Sequence, residues 1–376
     1  MTAYLDHAAT TPLRPEAAAA MLPFLGDRFG NPSGVHVVAR AARLAVDEAR
    51  EVVASALGAS PGEIVFTGSG TEADSLAVLG SHARRGGTVV CTAIEHHAVL
   101  HSCRAVGGRV APVTADGVVD MERLAGLLDD LDGDVSVVSV MLANNEVGTI
   151  QPLEAVEALV RELAPRAVLH TDAVQAFPWL DVAASAAGAE LVAVSAHKFG
   201  GPQGVGALVV RDRTAVAPII HGGGQEGNLR SGTHNVAGIV GMAAAVSATA
   251  ASRAETIARV GALRDRLADG LLAAVPGAEE SGPRSIKVAG SCHLRFPGVE
   301  SEALLLLLDQ AGVCASAGSA CASGALEASH VLMAMGVARD EALASLRLSL
   351  GWTTTEHDVD LALKVVPDAV ARLRGD

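Results

Sequence analysis

The chain has 376 residues, half of them hydrophobic and 19% charged, which excludes global disorder and allows one large domain plus a smaller one. A net charge of −14 repels phosphate backbones, and 2% aromatic residues supply no stacking platform for bases, so nucleic acid is not an expected partner.

The N-terminal MTAYLDHAATTP has no basic segment followed by an apolar one, so no secretory signal is expected. Short apolar runs that suit buried strands then alternate with helical patterns. Strands are predicted over 63–67, 88–92, 135–141, 167–171, 190–195 and 205–210, and helices over 72–84, 121–128 and 153–163. This alternation implies an α/β fold, a large domain with a mainly parallel sheet flanked by helices, whose ligands gather at the carboxyl ends of the strands. An uncharged Ala/Gly-rich stretch over 231–252 holds Thr233, His234 and Asn235 and reads as a buried helix, so no membrane association is expected. Beyond about residue 250, helices predicted over 255–272, 302–308 and 356–366 and strands near 292–296 and 346–350 suggest a smaller α+β C-terminal domain. The expected division is 13–250 for the large domain and 1–12 with 251–376 for the small one.

The predicted strand ends carry the chemistry. The first runs into Gly68-Ser69-Gly70-Thr71-Glu72 and a helix, where backbone N–H groups attract a phosphate; an ordinary turn capped by Thr71 fits equally well. The second ends at Glu95-His96-His97. Adjacent side chains diverge and no carboxylate stands at ligand spacing, so a metal is not expected, whereas one flat imidazole could lie against a planar cofactor. The third ends in Asn144-Asn145-Glu146-Val147-Gly148, a turn with neutral donors for ligand oxygens. The fourth delivers Asp172, with Gln175 one turn later, and the fifth gives Ser195-Ala196-His197-Lys198.

Basic residues are 25 Arg and three Lys. Lys287, in an apparent strand, and Lys364, in the terminal helix, are expected to be solvated. Lys198 instead sits in a crowded strand-end turn, the setting that suits a Schiff-base amine. Taken together, an anion site, a ring face, a carboxylate for a pyridinium nitrogen, a donor for a phenolic oxygen and an amine are what pyridoxal 5′-phosphate requires.

Five cysteines, odd in number and without a Cys-x-x-Cys pair, argue against a disulfide scaffold and for a reducing cytoplasm. Cys91, Cys103 and Cys292 fall on predicted strands and a helix. Cys314 is expected to be a buried small hydrophobe ending a strand. Cys321 lies in a run of small residues, CASAGSACASGALE (314–327), that suits a mobile loop.

In order along nearly the whole chain, YLDHAATTP (4–12), FGNPSGVH (29–36), GTE (70–72), EH (95–96), NNEVG (144–148), DAVQ (172–175), SAHK (195–198), GGGQE (222–226), RSGT (230–233), SAC (319–321) and LRLSLG (346–351) resemble the cysteine desulfurases. These belong to the class V aminotransferases of fold-type I. The family often has Ala where Gly70 stands and Ser where Gly34 stands; neither change removes a functional group.

The resemblance implies that Lys198 is the Schiff-base lysine, His96 stacks on the ring and assists proton transfer, Asp172 holds the pyridinium nitrogen and Gln175 the phenolic oxygen. Gly70, Thr71, Ser195 and His197 would surround the phosphate, with Thr233 reaching that of the other subunit in a homodimer. Asn145 and Arg347 would bind the substrate carboxylate, and Cys321 would take sulfur from L-cysteine as a persulfide, leaving L-alanine. The loop around Cys321 resembles the longer-loop subgroup, which serves iron–sulfur cluster assembly, so a sulfur-acceptor protein is an expected partner. A selenocysteine lyase or an aminotransferase of the same fold is the alternative enzyme, and a non-catalytic sulfur-relay scaffold the alternative class.

Overall fold

The structure, a computed structural model, describes residues 2–317 and 327–375. In chain order the strands are β1 (Ala3–Tyr4), β2 (Ile64–Thr67), β3 (Thr88–Thr92), β4 (Arg109–Ala111), β5 (Val135–Ser139), β6 (Val168–Asp172), β7 (Leu191–Ser195), β8 (Gly206–Val210), β9 (Glu279–Glu280), β10 (Ser291–Arg295), β11 (Val313–Cys314) and β12 (Ser345–Ser349). Seven form the large sheet in the order β2-β8-β7-β6-β5-β3-β4. All pairings from β4 to β7 are parallel; β8 runs opposite to both its neighbours, so β2 points the same way as the parallel strands. The mixed α/β architecture with a mainly parallel sheet flanked by helices is therefore as the sequence implies.

β2, β5, β6, β7 and β8 are buried along their whole length, which is why they read as continuous apolar runs and not as alternating patterns. The predicted strand over 135–141 ends as regular ladder at Ser139, yet Val140 and Leu142 still donate to the carbonyls of His170 and Asp172. The helices predicted over 231–252 and 255–272 are one 39-residue helix, Val236–Ala274, because no glycine or proline stands at the join. Residue 250 lies inside it. This helix is long and apolar enough to cross a membrane, but more than half of its apolar window is buried in the protein. Helices Val37–Ala56 and His97–Ala105 were not among those predicted, although the first buries Ala39, Ala42, Val46, Ala49 and Val53 at helical spacing.

The chain after this long helix forms a three-stranded antiparallel sheet, β12-β10-β9, backed by helices Ser301–Gln310 and Glu356–Arg374. The N-terminus returns to it. β1 pairs in parallel with β11, and Asp6 bridges to Ser349 at the end of β12. The segment 4–11 is thereby held between this sheet and the carboxyl end of β7.

Candidate active site

At the carboxyl ends of the parallel strands lies a cavity of about 460 Å³, within the range of ligand pockets. Its phosphate-sized corner is the turn after β2. Ser69, not Thr71, caps helix Gly70–Arg85, its hydroxyl accepting from the Glu72 N–H at 3.1 Å, while Thr71 is free to line the cavity. A Cβ on Gly70 would stand 2.9 Å from Val174 and 3.1 Å from Ser195, so this position must stay small for the turn to close on β7. Sixteen helical residues aim their N-terminal N–H groups and dipole at the same corner as Ser195 and His197.

β3 ends at Thr92, and the turn that follows it holds Glu95 and His96. Glu95 is buried, its carboxylate accepting from the Thr92 hydroxyl at 2.6 Å and the Met141 N–H at 2.8 Å, which locks this loop against β5; burial raises its pKa to about 8. His96 caps helix His97–Ala105, and its Nδ1 accepts from the Ala98 N–H at 3.1 Å, so in the neutral ring the proton sits on Nε2. Its ring is open to the cavity, and desolvation and the nearby Lys198 amine hold its pKa well below the usual value. His97 does not line the cavity; it packs on His101 and His330 at ring distances of 4.8 and 4.6 Å.

The two asparagines after β5 divide their work. Asn144 is fully buried and closes the turn, accepting from Glu146 and Val147 N–H groups at 2.9 Å and donating to the Ile94 carbonyl. Asn145 lines the cavity. Gly148 has φ of +83°, and a Cβ there would lie 2.3 Å from that of Ser291, so only glycine fits this turn.

β6 delivers Asp172 to the cavity floor. Its carboxylate accepts from the Val174 N–H at 2.8 Å; burial raises its pKa to about 6, opposed by that N–H and by Lys198, and it is largely ionised at neutral pH. Gln175 beside it has a buried Oε1 without a partner among the described residues. Lys198 ends the short turn Ala196–Lys198 after β7 and donates from Nζ to the carbonyls of Ala8 at 2.5 Å and Ala9 at 2.9 Å. Desolvation, then Arg347, lowers its pKa to about 8, so about a tenth of the amine is unprotonated at pH 7. His197 bonds the Thr10 hydroxyl through Nδ1 at 3.2 Å. From β12, Arg347 reaches the same cavity, bonded to the Asn145 carbonyl at 3.1 Å.

The structure thus gathers Gly70, Thr71, His96, Asn145, Asp172, Gln175, Ser195, His197, Lys198 and Arg347 around one cavity. Thr233 is exposed on another loop and does not line it. That loop is tied to the phosphate-sized corner through Arg230, whose guanidinium pairs with Glu72 at 2.6 Å. Cys321 lies outside the described residues.

Two expectations need correction. Lys287 is not solvated in a strand: its amine is buried in an irregular segment and paired with Glu280 at 2.9 Å, because the chain turns inward before β10. Cys314 does end a strand, β11, but is half-buried because among the described residues that strand pairs only with β1, whereas Cys91, Cys103 and Cys292 are buried.

Sequence reasoning missed Asp74, which lines the cavity fully buried with a strongly raised pKa from desolvation and the neighbouring Asp172. Its spacing of three from Thr71 on one helix was the available signal. It also missed the N-terminal carbonyls that receive Lys198, which no side-chain pattern reports.

The profile of the family "Aminotransferase class-V" matches residues 3–362. An "IscS-like cysteine desulfurase" from Mycobacterium tuberculosis is 46% identical over 99% of this chain and 97% of its own length. Among solved structures, a NifS-like protein is similar with a TM-score of 0.91 at 36% identity, covering 99% of this chain and 100% of the other. A structure titled "SspA in complex with cysteine" is similar with a TM-score of 0.80 at 30% identity, covering 94% and 100%.

Proposed function

The chain belongs to the class-V aminotransferase family, and from that premise we propose that it is a pyridoxal-phosphate-dependent cysteine desulfurase that converts L-cysteine to L-alanine and takes the sulfur on Cys321. The observation that carries this reading is the meeting of Lys198, Asp172, His96 and Arg347 around one cavity at the strand ends. The cysteine-bound relative supports the choice of substrate.

The residues fit the cofactor. A helix N-terminus with Gly70, Thr71, Ser195 and His197 suits a phosphate, a largely ionised Asp172 suits a pyridinium, and the Gln175 amide at the cavity wall has an Nε2 donor that suits a phenolic oxygen. When bound, pyridoxal phosphate supplies an electron sink for the electron pair left at the substrate's Cα. Lys198 moves the proton at Cα, its lowered pKa making the amine a usable base near neutrality. Arg347 and Asn145 hold the substrate carboxylate, and His96 covers the ring face with a neutral imidazole that carries a proton on Nε2. The Cys321 thiolate attacks the substrate's sulfur; the carbon–sulfur bond breaks, its electron pair goes to carbon, which takes up a proton, and the sulfur remains as a persulfide. One L-cysteine and one thiol thus give one L-alanine and one persulfide.

A second copy of the chain is part of this reading. Leu22, Leu25, Phe29, Val35 and Val37 on the N-terminal elements are each about 70% exposed or more, large apolar side chains that a second copy would cover. The exposed Thr233 would serve the partner's cavity. The persulfide sulfur passes to an acceptor protein of iron–sulfur cluster assembly or another sulfur-transfer route in a reducing cytoplasm.

Asp172→Asn keeps the size of the side chain and removes its charge. Alanine release should fall about a hundredfold or more while cofactor still binds; an unchanged rate removes Asp172 from the mechanism. His96→Ala should shift the cofactor's absorbance and slow turnover by about tenfold to a hundredfold, because stacking and proton transfer are both lost. His97→Ala should be milder, since that ring packs only on other histidines. Equal effects at the two positions would refute a selective role for His96.

A further inference from the structure

Arg347 reaches the cavity from β12, but what aims its guanidinium lies at the other end of the chain. Nη2 pairs with the Asp6 carboxylate at 2.8 Å, and Nη1 donates to the Asn145 carbonyl at 3.1 Å. The arginine side chain is 5% exposed and that of Asp6 22%. Nε is buried and has no partner among the described residues. A buried N–H left unpaired is costly, and a guanidinium offers its Nε–H and an adjacent Nη–H as a parallel fork that matches a carboxylate.

We propose that Asp6 is a positioning residue for the substrate's carboxylate: it holds Nη2 of Arg347 while the Asn145 carbonyl holds Nη1, and the two together fix the guanidinium so that its remaining N–H groups are left for the ligand. The inference rests on the assignment of Arg347 to the carboxylate above. Asp6 is placed for this by main-chain bonds on both sides. The His7 N–H donates to the Ser349 carbonyl at 3.1 Å, the Ser349 N–H to the Leu5 carbonyl at 2.7 Å, and the Tyr4 hydroxyl to the carbonyls of Asp6 and Thr10. The two residues of the pair thus sit on adjacent, mutually bonded segments, and the geometry is set by register and not by the side chains alone.

The same register ties the pair to the chain that leads toward Cys321. Ser316 and Arg347 exchange both backbone hydrogen bonds, at 3.2 and 2.7 Å. Residues 8 and 9, two and three positions after Asp6, present the carbonyls that receive Lys198. One short N-terminal segment therefore orients the carboxylate fork and meets the amine.

Steady-state kinetics with L-cysteine test the role. Asp6→Ala should raise KM about tenfold or more, the scale of one lost hydrogen bond to a charged group, with kcat changed much less. Asp6→Asn keeps the accepting oxygen and should restore KM to within about threefold. In an Arg347→Ala background, Asp6→Ala should add nothing, because the group it positions is gone. Retained cofactor absorbance in each variant reports an intact site. If Asp6→Ala leaves KM unchanged, if Asn fails to rescue, or if the loss persists in the Arg347→Ala background, Asp6 does not act through Arg347. An unchanged KM in Arg347→Ala alone would instead overturn the assignment of Arg347, separately from anything Asp6 does.

Discussion

Lys198→Ala is expected to give a folded protein that binds pyridoxal phosphate without the visible absorbance of a lysine-bound cofactor and releases alanine at least about a thousandfold more slowly. The side chain is half-buried at the end of the turn after β7, and its Nζ is held by two carbonyls that can accept but not neutralise it. Desolvation and Arg347 bring its pKa from 10.5 to about 8, while Asp172 and Asp6 act in the opposite direction. A lowered pKa means that the free amine grows as pH rises through about 8 and not through 10.5. Uptake of cofactor by the cofactor-free protein should therefore accelerate with pH and level off above about 8. A plateau reached only in the ordinary lysine range would contradict the burial argument, and a normal rate in the alanine variant would remove Lys198 from the reaction.

Cys321→Ser should keep the cofactor's absorbance and still bind L-cysteine, while alanine release falls by at least about a thousandfold. Breaking the carbon–sulfur bond toward a persulfide needs a nucleophile that ends with sulfur attached to it, and a serine hydroxyl neither ionises near neutrality nor forms such a bond stably. A free thiol, with a pKa of roughly 8.5, supplies enough thiolate. The other cysteines are poorly suited: Cys91, Cys103 and Cys292 are buried, and burial and their neighbours push the thiols of Cys91 and Cys292 upward, the latter to about 12. Cys314, half-buried in β11, is the alternative among the described residues. Peptide mapping after brief exposure to L-cysteine should find the added sulfur on Cys321; sulfur on Cys314, or normal alanine release by the serine variant, would refute the assignment.

Much of the site was legible because parallel strands bring their carboxyl ends to one edge whatever the details of packing. The residues following β2, β3, β5, β6 and β7 had to converge, and their types already described an anion corner, a ring face, a carboxylate and an amine. The sequence was less informative where a role depends on partners distant along the chain. Lys198 and Lys287 are both lysines in apolar surroundings, but only the structure shows that one meets carbonyls at the cavity and the other is neutralised by Glu280. Thr71 and Ser69 are equally good caps by composition; the helix begins where Ser69 can accept from Glu72, which leaves Thr71 to the cavity.

By itself the sequence determined the layered α/β architecture and the strand-end loops, because hydrophobic periodicity and turn chemistry are local properties. The order β2-β8-β7-β6-β5-β3-β4, the reversal of β8 and the pairing of β1 with β11 were decided only in three dimensions, since they depend on which segments meet, from Ser195 with Gly206 close by in the chain to Ala3 with Val313 at its far ends. So was the ion pair of Asp6 with Arg347, 341 positions away: a carboxylate and a guanidinium near opposite ends of a chain carry no mutual signal until backbone register places them 2.8 Å apart.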